Sequence, residues 1–325
     1  MRLREYLIKR SIQIIITLIV VLVMLFIVFR LMPGNPAAMM MDPRMKPEQR
    51  QMMLKQFGLD KPMWEQFVLY MKNMLTGNLG ISFQYRRPVI DIISERIGPT
   101  LLLFGSALIV AYILGILLGA IMAWRRGSKG EITGIVVSLF FYSMPLFWFG
   151  QIMLWIFSYK LKWFPLGGYG GYDPATHVYY TGLKYVADVL YHLALPLITL
   201  TIAGLAGNIL LMRNSMLDTL AEDYIVTARA KGIPERRIMY RHAARNAMLP
   251  VLTSFAMGLG FIVSGGVLTE TIFSWPGMGS AMVAATFAHD YPLIQGTFYI
   301  IAILVLVFNA IADVLYAYLD PRVRL

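Results

Sequence analysis

Six stretches of the chain are long, apolar and free of Asp, Glu, Lys and Arg: Ser11–Phe29, Thr100–Trp124, Ile132–Tyr159, Val189–Met212, Asn246–Thr269 and Tyr291–Ala312. A helix needs about 20 apolar residues to cross a hydrocarbon layer of about 30 Å. A charge at the centre of such a helix costs about 2.5–3.5 kcal/mol on insertion scales. The windows therefore predict an all-α polytopic membrane protein with six transmembrane helices. Composition agrees: charged residues make up 14% of the chain, against about 25% in soluble domains.

The first window follows Arg2, Arg4, Lys9 and Arg10. Such a flank also opens signal peptides, but this apolar run is too long and no small-residue cleavage site follows it. It reads as an uncleaved span with its N-terminus in the cytoplasm. Alternating from there, Arg125–Glu131, Arg213–Arg245 and the tail Asp313–Leu325 are cytoplasmic, and with the N-terminus they hold sixteen Lys or Arg. The short outer loops Lys160–Asp188 and Glu270–Asp290 hold three and none, which is the positive-inside asymmetry. The segment Arg30–Pro99 holds ten, but loops of that length escape the rule. The predicted division is 1–29 for the N-terminus and first span, 30–99 for an extracytoplasmic segment, and 100–325 for a five-helix core carrying a cytoplasmic loop at 213–250. Within 30–99, Pro47–Phe57 and Met63–Leu75 have apolar residues at helical spacing, ended by Gly58 and Gly77. Val89–Arg96 reads as a further short helix on the surface ahead of the second span.

The net charge of +11 suits basic flanks against anionic lipid headgroups. No aromatic-basic or zinc-finger pattern points to nucleic acid. The chain has no cysteine, which excludes disulfides, thiolate metal sites and thiol nucleophiles. It also lacks a GxxxxGK[ST] phosphate loop, a helical His pair with an adjacent Glu, and a G-x-S-x-G elbow. His177, His192, His242 and His289 lie in separate segments. No catalytic residue, cofactor site or metal site is expected in this chain.

Asp218–Pro250 is the one long polar segment between apolar windows in the C-terminal half, with seven Lys or Arg between Arg213 and Arg245. A helical run ends at Gly232 and Pro234 opens another, the expected placement of Gly past a helix end and Pro at a helix start. The segment reads as helix, tight turn, helix. Arg229 and Lys231 sit where positive charge suits the dipole. Ala228 and Ala230 keep the first helix slim enough for another protein to approach its backbone.

The order Asp223-Tyr224, Thr227-Ala228-Arg229-Ala230-Lys231-Gly232, Arg241-His242, Arg245-Asn246-Ala247 and Pro250 resembles the cytoplasmic signature loop of ABC-importer permeases, above all the dipeptide, oligopeptide and nickel branch. The broader pattern begins Glu-Ala-Ala. Here Val226, Thr227 and Ala228 stand in those places, so the acid is missing. The resemblance continues in Gly77-Asn78-Leu79-Gly80-x-Ser82, Pro88-Val89, Arg96 and Pro99-Thr100. It runs on through Glu270–Gly279, which resembles a segment that re-enters or caps the outer face, and through Asp290-Tyr291-Pro292 to the tail. It implies the transmembrane domain of a type I ABC importer, non-catalytic by itself, in a bacterial or archaeal cytoplasmic membrane. The implied partners are a homologous second permease, two ATP-binding subunits that carry ATP and Mg, and an extracytoplasmic substrate-binding protein. The helix around Tyr224–Lys231 would dock in a cleft of the ATPase. Peptides are the commonest substrates of the branch, with nickel and oligosaccharides as alternatives. An ion-coupled secondary transporter is the alternative mechanism, but such proteins carry ionisable residues within the bilayer, and these windows have none.

Within the spans, Gly115 and Gly119 form a small-xxx-small pair that permits close helix contact. Pro145 breaks the third window, which also carries Gln151; the pair serves either packing or the lining of a pathway. Asn208 offers a hydrogen bond to a neighbouring helix, with pathway lining as the alternative. The outer run Gly167–Tyr172 follows no strand and is not a nucleotide loop; it is either a docking surface for a soluble partner or a plain flexible loop.

Overall fold

Apolar windows become helices here because a chain in lipid must satisfy its backbone hydrogen bonds internally. The computed structural model describes residues 3–31, 61–173, 178–262 and 266–319. The expected helix Pro47–Phe57 with its stop at Gly58, residue His177 and the end of the tail lie outside them. The first two helices are α1 (Leu3–Leu31) and α2 (Met63–Leu75), followed by α3 (Val89–Trp124). Next come α4 (Lys129–Tyr142) and α5 (Leu146–Met153), which continues as a π-helical stretch over Leu154–Lys160. A two-residue hairpin, β1 (Tyr172–Asp173) with β2 (Val178–Tyr179), leads into α6 (Gly182–Leu220). Then α7 (Asp223–Ala230) and α8 (Glu235–Arg237) precede a π-helical stretch, Ile238–Ala243, that runs into α9 (Ala244–Ile262). The chain closes with α10 (Val267–Ile272), α11 (Met278–Phe287) and α12 (Tyr291–Leu319).

Among the described residues, α1, α3, α6 and α12 are each long and apolar enough to cross a bilayer. The third window is bent by 100° between α4 and α5. Pro145 explains the break: it lacks an N–H, and it disfavours helical backbone at Met144. The fifth window holds α9, whose 19 residues span about 28 Å, just bilayer length. Four of the six expected crossings are thus long helices and a fifth is the bent pair, while the remaining window holds the short α9.

Two sequence expectations change. Val89–Arg96 is no separate surface helix but the first turns of the 36-residue α3, with Val89, Ile92 and Ile93 buried. The second helix of the polar loop does not stand alone either, because α8 passes through its π-helical stretch directly into α9.

The most extensive contact between elements joins α3 to α6. A Cβ on Gly115 would stand 2.5 Å from Cβ of Asn208, and one on Gly119 would stand 2.6 Å from the Ile209 carbonyl oxygen and 2.8 Å from Cβ of Met212. The helix backbones touch because those two positions carry no side chain. Buried side chains gather at both ends of this pair. At one end Leu22, Phe26, Tyr70, Val89, Ile93 and Leu293 join α1, α2, α3 and α12. At the other end Ala120, Ala123, Met212 and Met216 meet Ile225, Ala228 and Ile238. Ile12, Ile15, Ile16, Ile19 and Val20 of α1 stay exposed, a lipid-facing stripe.

Gly105 lies on the same helix as Gly119, but a Cβ there meets nothing within 4 Å. Gly119→Val should destabilise the detergent-solubilised protein by about 1–3 kcal/mol through overpacking. Gly105→Val should change stability by less than about 0.5 kcal/mol. Thermal unfolding of both variants checks this; equal losses would contradict the close contact.

Candidate coupling loop and translocation cleft

Helix α7 is short, begins after Glu222 and has Asp223 in its first turn and Arg229 in its last, which matches the helix dipole at both ends. Its end is built by backbone geometry. Gly232 has φ +70°, its N–H donates to the Arg229 carbonyl (2.9 Å), and the Ile233 N–H donates to the Ala228 carbonyl (3.3 Å). This paired 5→2 and 6→1 closure requires the left-handed conformation at Gly232. A Cβ at Gly232 would meet no atom within 4 Å, so conformation alone demands glycine there.

One face of α7 is fixed to the bundle. Ile225 and Ala228 are buried against Ala120 and Ala123 of α3, Met212 and Met216 of α6, and Ile238 and Ala243. Ala228 therefore faces inward, and its small size serves packing within the chain rather than approach by another protein. Ala230 is exposed, as are Asp223, Tyr224, Thr227, Lys231, Arg241, Arg245 and Asn246; His242 is half-buried. Tyr224 clamps the two halves of the loop: its hydroxyl donates to the His242 carbonyl (3.3 Å) and accepts from Asn246 Nδ2 (2.8 Å). Thr227 Oγ1 donates to the Asp223 carbonyl. Arg229 Nε pairs with Glu235 Oε1 at 3.1 Å, across the turn at Gly232. The outward face that remains carries Asp223 and Arg229 and Val226, which is 60% exposed and stands where the broader pattern has an acid.

Between α3, α6 and α9 lies a cleft of about 300 Å³, lined among others by Phe104, Leu108, Tyr112, Leu200, Asn208 and Ile262. The Tyr112 hydroxyl shares a 2.8 Å hydrogen bond with Ser254 Oγ. Asn208 thus does two things: its Cβ packs on Gly115, and it borders the cleft. Pro145 and Gln151 are exposed on the bent third span and border a different surface. At the end opposite α7 the cleft region is roofed by α10 and the turn after it. Glu270 is fully buried. It accepts from Thr100 Oγ1 (2.8 Å) and from the Ser280 N–H (2.9 Å), while Thr100 Oγ1 accepts from the Met278 N–H (2.9 Å). Trp275 Nε1 donates to the Pro99 carbonyl (2.9 Å), and the ring packs edge-on to Tyr169 at 4.9 Å. The Gly167–Tyr172 run is fastened here: the Gly168 N–H donates to the Phe273 carbonyl (3.0 Å) and the Gly171 N–H to Asp188 Oδ2 (2.5 Å).

The sequence profile of the family described as binding-protein-dependent transport system inner membrane component matches residues 115–325. The profile of the N-terminal part of that membrane component matches residues 3–104. The chain belongs to this permease family. It is 37% identical to the oligopeptide transport system permease protein AppB of Bacillus subtilis, across 98% of this chain and 99% of that protein. Identity is 39% to the di/tripeptide transport system permease protein DppB of Pseudomonas aeruginosa, over 92% of each chain. It is 36% to the dipeptide transport system permease protein DppB of Escherichia coli, over 98% of each. The permease is a non-catalytic, multi-pass component of the inner membrane with the membrane domain of a type I ABC importer.

Sequence reading missed three polar anchors of the permease. Glu131 is buried although it belongs to a polar loop. Arg213 donates to its Oε1 from both Nε (2.8 Å) and Nη2 (2.5 Å), and the Gly127 N–H donates to its Oε2. The joint ties the α3–α4 turn to α6 shortly before α6 leads into α7. Glu270 and Asp290 are the other two anchors. Both head motifs of the family resemblance, but nothing local in the sequence marks them as buried.

Gly232→Val puts a β-branched residue in the left-handed region at a cost of about 1–2 kcal/mol, whereas Asn tolerates that region. In the assembled transporter Gly232→Val should insert normally yet lose most of the ATPase stimulation by loaded binding protein. Gly232→Asn should retain most of it. Steady-state ATPase assays on both variants check this, and wild-type stimulation of the Val variant would contradict the role given to the turn.

Proposed function

We propose that this permease forms one half of a peptide translocation path and is driven from the cytoplasmic side through α7. The observation that carries the reading is the seating of α7. One face of a rigid two-turn helix is packed on the ends of α3 and α6, and the opposite face is exposed and apolar at Val226. An ATPase that grips the free face and closes on nucleotide tilts α3 and α6 through the buried one. The chain brings no phosphate loop of its own, so ATP and Mg belong to two separate ATP-binding subunits. A homologous second permease completes the path, and an extracytoplasmic binding protein delivers the substrate. In this arrangement the two termini and the 213–250 loop are cytoplasmic, consistent with the distribution of Lys and Arg.

The cleft beside Asn208 and Tyr112 is this chain's side of the path. It offers amide and hydroxyl groups and no fixed charge among its lining residues. Such a wall hydrogen-bonds a peptide backbone while tolerating many side chains, leaving selection to the binding protein. The curated relatives named for dipeptide, di/tripeptide and oligopeptide transport favour peptides over nickel or oligosaccharides.

The test is reconstitution of the full transporter in liposomes with its binding protein. Short peptides should be accumulated with ATP, and the peptide-loaded binding protein should stimulate hydrolysis severalfold. Stimulation by nickel or an oligosaccharide alone would change the substrate. Accumulation by this chain in ATP-free liposomes under a pH gradient would replace the mechanism with ion coupling.

A further inference from the structure

The cleft ends at a hydrogen bond. Its walls run from Phe104 to Tyr112 on α3, from Leu200 to Asn208 on α6 and from Ile262 to Gly258 on α9. All three walls lead toward the α7 end of the bundle. There the cleft stops at Tyr112, which is buried and whose hydroxyl shares its 2.8 Å bond with Ser254 Oγ, one turn past Gly258. The Tyr112 ring also packs edge-on to Phe255 at 5.2 Å. Beyond this point the space is filled: Ala120, Ala123, Met212, Ala247 and Val251 are buried in one cluster. Tyr112 belongs to that cluster and to the cleft wall at once.

The other polar ties around this point lie at helix ends. Toward α7, Ser215 Oγ donates to the Ala247 carbonyl (2.8 Å), which fastens the start of α9 to α6. At the opposite end Glu270 ties α10 to Thr100, and Asp290, at the head of α12, is tied to Ser82 ahead of α3. Between those ends α9 packs along α12. Among the described residues Tyr112–Ser254 is the one side-chain hydrogen bond from α3 to α9. Helix α9 also has Pro250 inside it, which leaves the Asn246 carbonyl without its helical donor and lets the helix bend there. Ser254 stands one turn beyond that weak point.

We propose that Tyr112 and Ser254 are the latch of the cleft. When α7 tilts the α3–α6 pair, the part of α9 beyond Pro250 stays with α12, the bond breaks, and the cleft opens past Tyr112 toward α7. Reforming the bond shuts it again. This rests on the reading of the cleft as a peptide path. A neutral hydrogen bond suits the task, because its net contribution is small enough to be given up in every cycle, while the ring and its partner close the one step between cleft and packed cluster.

The experiment uses the full transporter in liposomes with its binding protein. Leu108 and Gly258 face each other across the same seam, each one turn from the latch on its own helix: a Cβ on Gly258 would stand 3.0 Å from Leu108 Cδ1. In this cysteine-free chain the Leu108→Cys, Gly258→Cys pair can be joined by a short bifunctional thiol reagent that a reductant releases. The joined transporter should import peptide at less than about a tenth of its rate before joining, and reductant should restore import. Import that continues unslowed after joining overturns the latch while leaving the importer reading intact, and so does a pair that cannot be joined. Tyr112→Phe and Ser254→Ala remove the bond and keep most of the packing, and they decide the matter if the cysteine pair is inactive from the start. The ATP hydrolysed per peptide imported should rise about fivefold in each, and no further in the double variant, because both remove the same bond. An unchanged ratio, or rises that multiply in the double variant, overturns the latch. No ATP-driven import by the wild type overturns the importer reading and the latch together.

Discussion

Where Gly115 and Gly119 of α3 meet Asn208 and Met212 of α6, no side chain separates the two backbones. In lipid, helices are not driven together by exclusion from water, so association rests on close packing and hydrogen bonds. Removing two side chains supplies that packing along the inner part of both helices. Everything functional is then referred to this pair. The cleft opens along its side toward α9, and the buried face of α7 sits on its ends.

Polar groups finish what the glycines begin, and they do so at the ends of the helices rather than in the middle. Arg213 reaches Glu131 at the end nearer α7, so the α3–α4 turn is attached to α6. Glu270 and Asp290 bind the opposite end, one joining α10 to Thr100, the other joining the start of α12 to the turn at Ser82. A carboxylate that is buried but surrounded by donors fixes geometry, because removing a partner leaves an unpaired group at a cost of about 1–3 kcal/mol. The result is a bundle fastened by carboxylates at both ends, suited to tilting as a unit.

The spans were legible because hydrocarbon imposes one rule on every residue within it. Four of the six windows lie within single long helices, the third breaks at Pro145 as a missing N–H dictates, and the fifth is divided between α9 and α10. The end of α7 was legible at Gly232 for a similar reason: few residues enter the left-handed region without cost. What escaped was set by long-range contact. Ala228 was read as a surface for a partner, yet it packs inside the chain, since composition does not tell which face of an eight-residue helix is buried. The pairing of Arg213 with Glu131 spans 82 residues of sequence, and nothing local marks either partner. Val89–Arg96 was read as a separate surface helix ahead of the second span, which opens at Thr100. Yet the helix continues past Pro99 into the span, and the Pro99 carbonyl receives Trp275.

The central claim is that α7 and the α3–α6 pair move as one body. The chain has no cysteine, so two introduced cysteines can be labelled cleanly. Spin labels at Gly105, where a side chain meets open space, and at the exposed Arg237 of α8, across the Gly232 turn from α7, report the distance from the coupling loop to the far half of α3. Pulsed electron resonance on the assembled transporter should find that distance constant within about 2 Å between nucleotide-free and ATP-bound states. The distance from Arg237 to its counterpart in the second permease should change over the same cycle. A shifting Gly105–Arg237 distance with a fixed distance between permeases would contradict the account.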